Sequence, residues 1–156
     1  MSAEVAGVGL RLTIVAAARE WIGTPYRHQG SVKGIACDCL GLVRGVWREI
    51  YGREPEKAPA YSPDWAEASG EETLLEAARR HMTSISPALA LPGDLLVFRW
   101  KPHLPAKHVA IITSAEPGRI RRIVHAYDSV GKVVEVNLAN EWARRIAGAF
   151  AFPEID

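Results

Sequence analysis

At Pro92-Gly93 the hydrophobic period of this chain changes from helical to extended, and that switch restricts it to an α+β arrangement. Before it, Ile14, Val15, Ala18, Trp21 and Ile22 recur on one face of a helix, with Thr13 near its N-terminus and Gly23 as its stop. Leu42, Val43, Val46, Trp47 and Ile50 form a second stripe, headed by Cys39 and ended at Gly52, where a left-handed cap fits. Between the stripes, Thr24-Pro25-Tyr26 reads as extended, because a residue before proline leaves the helical region, and Gly30 to Gly34 reads as a loop closed by Cys37-Asp38. Pro55, Pro59 and Pro63 rule out regular structure in the stretch they punctuate. A short helix is predicted from about Glu71 to Met82, with acidic residues opening it and Arg79, Arg80 and His81 closing it, as the helix dipole favours.

Beyond the switch come short runs rich in β-branched residues: Leu95 to Arg99, His108 to Thr113, Ile120 to Ala126, Lys132 to Leu138, and Ala147 to Phe152. Proline and glycine in their connections suit an antiparallel meander rather than helical crossovers. The expected fold is therefore N-terminal helices packed on an antiparallel sheet of about five strands. It forms one domain over residues 1–156, with an inserted loop and short helix at about 55–92.

With 48% apolar and 24% charged residues the chain can bury a core. A net charge of +1 gives no reason to expect a nucleic-acid partner, and Arg119, Arg121 and Arg122 read as a solvated turn. No membrane span is expected from the apolar runs, and the start of the chain does not read as a secretion signal, so synthesis in the cytoplasm is expected.

Cys37 and Cys39 stand too close in sequence for an ordinary structural disulfide, which leaves at least one free thiol. Cys39 heads a helix, where the dipole and unpaired backbone N–H groups lower a thiol pKa and can receive an oxyanion. Its placement also suits the first residue of a buried stripe. A thiol nucleophile needs a base. His108 opens a strand and shares a face with Ala110 and Ile112, as a base or as a packed core histidine, and His125 lies where a neighbouring strand could set it beside His108. His28, His81 and His103 fall in a loop, at a helix end and in a proline-flanked turn, and are set aside as exposed. A zinc site on Cys37, Cys39, His108 and His125 lacks the close ligand pairs such sites use, so no metal is expected. No carboxylate pair or phosphate-cradling glycine pattern points to another chemistry, and no cofactor is expected.

Five blocks in order, Gly23-Thr24-Pro25-Tyr26, Asp38-Cys39-Leu40-Gly41-Leu42-Val43, Pro92-Gly93-Asp94-Leu95, His108-Val109-Ala110-Ile111 and His125-Ala126, resemble the landmarks of NlpC-type peptidoglycan peptidases. The resemblance implies a circularly permuted papain-like fold, with Cys39 as nucleophile, His108 as base and His125 as the third polar residue. It places Tyr26 beside the nucleophile, and Tyr26 and Asp38 as support for substrate or oxyanion. The implied substrate is the peptidoglycan stem peptide, cut near γ-D-glutamyl and diaminopimelate residues.

Leu40 stands where the family usually has a small serine, and the extra Cys37 and the insert are also unusual. The segment from Cys37 to Gly45 looks most like the branch found in tailed phages and gene transfer agents. That likeness implies phage-like tail or baseplate partners and action in the periplasm of a target cell. A thiol amidase or acyltransferase, or a non-catalytic tail module, are the alternatives.

Overall fold

The computed structural model describes residues 7–56 and 72–155. Pro59, Pro63 and Glu71 of the expected insert lie outside the described residues. Helix α1 spans Val8–Arg19 and starts at Gly7 without a side-chain cap. Thr13 is thus more than a turn inside it, its hydroxyl donating to the Gly9 carbonyl at 3.0 Å rather than capping. The helix begins earlier than its apolar stripe because Arg11, a charged residue, is among those it buries.

Helix α2, Cys39–Tyr51, is held at both ends as its sequence requires. The Asp38 carboxylate accepts from the Gly41 N–H, and Gly52 takes the left-handed conformation at φ 84°. The loop before it contains a two-residue hairpin, β1 (Ser31–Val32) against β2 (Ala36–Cys37). Two glycines of α2 permit close packing: a Cβ on Gly41 would lie 1.8 Å from the Gly30 carbonyl oxygen, and one on Gly45 would lie 2.0 Å from the Trp21 ring. Gly41→Ala forces backbone apart and should lower unfolding free energy by roughly 1–3 kcal/mol or more. An unchanged urea midpoint for that variant would show that the loop yields without strain.

Helix α3, Thr73–His81, precedes a six-stranded antiparallel sheet. Its strands are β3 (Thr83–Ile85), β4 (Leu95–Phe98), β5 (His108–Glu116), β6 (Arg119–Tyr127), β7 (Lys132–Asn137) and β8 (Ile146–Ala151). A four-residue helix, α4 (Asn140–Ala143), joins β7 to β8. The five expected strands are β4 to β8, and β3 is the sixth. The sheet order is β3-β8-β4-β5-β6-β7. Only β4 to β7 form the simple meander; β8 returns between β3 and β4, pairing Phe150 with both Ser84 and Leu95.

The two faces of the sheet bury different sets. Ile14, Trp21, Leu42, Val46, Val97, Ile111 and Val124 form the core under the helices, while Leu96, Phe98, Ala110, Ile112 and Ile123 form a second cluster on the opposite face. The alternation of side chains along β4 and β5 produces this division. A buried Arg11–Asp94 ion pair joins α1 to the turn before β4, where Asp94 also accepts from the Leu91 N–H at 2.8 Å.

Candidate active site

Cys39 belongs to the helix side of the sheet and the histidines to the other, and they meet where β5 begins. The Cys39 thiol contacts the carbonyl of Lys107, the residue before His108, at 3.8 Å. Continuing the Ile111↔Val124 register sets His108 diagonal to His125, within reach across the strands. The two rings take that contact: His108 Nε2 and His125 Nδ1 are 2.8 Å apart. With His108 Nε2–H as the donor, its Nδ1 keeps a lone pair for a proton.

Cys39, His108, Tyr26 and Asp38 open on one cavity of about 270 Å³. His28, set aside as an exposed loop residue, is exposed but lines the same cavity, its Nδ1 3.8 Å from an Asp38 oxygen. Asp38 is 2% exposed and binds backbone with both oxygens, Oδ1 accepting from Gly41 and Oδ2 from Gln29, each at 2.7 Å. As an acceptor it fixes the helix start and the preceding loop rather than donating to an oxyanion. Leu42 N–H is spent on the Asp38 carbonyl, whereas the N–H groups of Leu40, Cys39 and Val109 face the sulfur. The Cys37 thiol is buried and contacts the Asp38 carbonyl at 3.0 Å. Among the described residues no group of three or more His, Cys, Asp or Glu side chains could hold a metal ion.

The electrostatics correct one expectation. Burial, and then the Asp38 carboxylate, push the Cys39 thiol up to about 12, outweighing the backbone N–H groups that favour the thiolate. Sequence placement captured the N–H donors but not the carboxylate that caps the same helix end. Tyr26 is likewise raised, by burial and then by the charges of Cys39 and Asp38. His108 is driven well below 6.5 by burial and by His125, and burial takes His125 down to about 4. The resting site is therefore a neutral thiol beside neutral imidazoles.

Sequence reading missed the aromatic rings around the histidines. Trp100 stacks on His108 with centroids 5.4 Å apart, and Tyr127 stacks on His125 at 5.5 Å. Tyr127 was findable, two residues after His125 and so on the same strand face; Trp142, on α4, carried no such signal. Aromatic faces would favour an imidazolium by about 0.5–2 kcal/mol. Taking His125 from 6.5 to about 4 is worth about 3 kcal/mol in the opposite sense, so burial wins.

This has a consequence for stability. An imidazole depressed in the fold binds its proton more readily once unfolded, so its contribution is complete above pH 6.5 and is lost as pH falls toward 4. At pH 5 His125 should have removed about 2 kcal/mol of unfolding free energy relative to pH 7. Urea titrations at the two pH values test this, and a flat response would mean that the histidine pair is hydrated.

An antiparallel sheet carrying an imidazole pair, with a helix-borne thiol at its end, defines a papain-like α+β fold. The NlpC/P60 family profile matches residues 23–149, and the chain belongs to the NlpC/P60 family. The NlpC/p60 domain of the peptidoglycan hydrolase SagA is 25% identical, with a TM-score of 0.62 over 91% of this chain and 98% of that one. A lipoprotein-like NLP/P60 protein of Staphylococcus aureus (21% identity, TM-score 0.64) is covered over only 44% of its length, against 97% of this chain. The peptidoglycan hydrolase RipB of Mycobacterium tuberculosis (20%, TM-score 0.56) matches over 92% of this chain and 64% of its own. A comparison with curated protein sequences gives no match.

Proposed function

We propose that this protein is a cysteine endopeptidase that hydrolyses an amide bond of the peptidoglycan stem peptide, near the γ-D-glutamyl and diaminopimelate residues. The observation that carries the reading is that Cys39 and His108 share one cavity, with His108 held behind it by its hydrogen bond to His125. The description of SagA as a peptidoglycan hydrolase supports the substrate class. As the sulfur attacks the carbonyl, its proton passes to His108, and the Cys39 and Leu40 N–H groups receive the oxyanion. His125 accepts from the imidazolium through Nδ1. The leaving amine takes the proton from His108, and water then opens the thioester.

Delivery by a phage-like tail, with tail or baseplate proteins as partners and the target cell's periplasm as the place of action, is part of the same proposal. The likeness of the Cys37 to Gly45 segment supports it. Among the described residues no helix is long and apolar enough to cross a membrane.

The high thiol pKa also favours a second reading, a tail module that keeps the fold without catalysis. The purified protein and Cys39→Ala, incubated with defined stem peptides and read by mass spectrometry, separate the two. Cleavage by the wild type alone supports the enzyme and identifies its bond; on a muramoyl-linked peptide, a cut between the sugar and the first alanine instead would point to an amidase. Two intact substrates, with both proteins folded, would favour the binding module.

A further inference from the structure

Trp142 lies on α4, outside the sheet, yet its indole meets every ring packed around the histidine pair. It is edge-on to His125 at 5.2 Å and to His108 at 5.4 Å between centroids. It also meets Tyr127 at 5.0 Å, Trp100 at 5.1 Å and Phe98 at 5.4 Å. We infer that Trp142 is a positioning residue that holds the two imidazoles in their mutual hydrogen bond and closes them from water.

The inference rests on the reading of His108 as base, and geometry supports it from both sides. A hydrogen bond between two imidazoles needs both ring planes fixed; here they cross at 77°, and the indole touches each. The main chain that carries the indole is itself anchored. Trp142 N–H donates to the Ala139 carbonyl at 3.0 Å, and Arg145 N–H donates to the Trp142 carbonyl at 2.9 Å. The Arg145 carbonyl accepts from the Arg99 N–H at 2.9 Å, which ties this turn to the end of β4, and the Arg145 guanidinium lies over Trp100.

The titratable groups nearest the pair are few in kind. Tyr127 and Asp128 face it from the end of β6, and Lys107 from the start of β5. Cys39 and Asp38 face it from α2, and Tyr26 and His28 from the preceding loop, with Arg145 beyond Trp100. None of these is removed with Trp142, so a change in titration on its replacement reports the indole.

The test uses the full chain with 15N-labelled histidine, following the ring signals of His108 and His125 against pH in wild type, Trp142→Ala and Trp142→Phe. It adds kcat/KM against pH for stem-peptide hydrolysis. In Trp142→Ala both ring titrations and the acid limb of kcat/KM should move up by one pH unit or more, and kcat should fall more than tenfold. Trp142→Phe should restore most of the limb. Unchanged titrations in folded Trp142→Ala would overturn the inference. Should that variant not fold, Trp142→Leu, which fills the apolar space without spanning both rings, is judged by the same shift. The ring titration needs no substrate: titrations that shift while the wild type shows no turnover sink the peptidase reading and leave the hold of Trp142 standing.

Discussion

His108→Ala should cut the rate of stem-peptide cleavage by about 10²–10⁴-fold, the usual worth of a positioned acid–base group. The size follows from the thiol. With the Cys39 thiol pushed up to about 12 by burial and the Asp38 carboxylate, thiolate is scarce at pH 7, so attack depends on a base that takes the proton as the carbon–sulfur bond forms. His108 is 4% exposed, and its removal also leaves a hole among aromatic rings, so His108→Gln should be measured alongside. Gln fills the space and can meet His125, but accepts no proton at neutral pH. Both variants should show rates that climb about tenfold per pH unit into the alkaline range, as hydroxide replaces the imidazole. Wild-type turnover in either would remove His108 from the mechanism. Loss of rate in His108→Ala alone would make its role one of packing.

The second large effect concerns the Arg11–Asp94 pair. Asp94 is fully buried, and although Arg11 and the Leu91 N–H favour its charge, burial dominates and its carboxyl lies above the usual 3.8. The pair therefore does not recover the cost of leaving water, which is common for buried ion pairs. Asp94→Ala takes the carboxylate from a buried guanidinium and the acceptor from the Leu91 N–H, and should cost about 3–5 kcal/mol, a large share of the roughly 5–15 kcal/mol that holds a domain folded. The double variant Arg11→Met, Asp94→Leu should recover most of that loss, because no charge is then stranded. Urea unfolding of the wild type, Asp94→Ala and the double variant tests this. A loss under about 1 kcal/mol in Asp94→Ala would show that the Arg11 charge is satisfied without Asp94.

The strands were legible because each alternates apolar residues between turn signals: β4, β6 and β7 lie within a residue or so of their predicted limits. β5 runs three residues past its predicted end at Thr113, where Ser114, Ala115 and Glu116 continue the pairing through irregular register. β3 was not legible, since Thr83–Ile85 is three residues long and its partner is the distant β8. Nor does any local period reveal that β8 returns between β3 and β4. For the site, the helix head at Cys39 and the strand positions of His108 and His125 could be read directly. The thiol's high pKa could not, because the capping role of Asp38 and the burial of Cys39 are products of the tertiary fold.

The interior position of β8 bears on how the molecule is made. A ribosome adds about 5–20 residues per second, so for a few seconds β4 emerges with one edge bare before its last neighbour exists. A bare edge is a template for pairing with other chains, and contact between β8 and its partners closes it. A chain broken before β8 keeps that edge and leaves β3 unattached, so such a product should aggregate or be degraded rather than persist as a weaker enzyme.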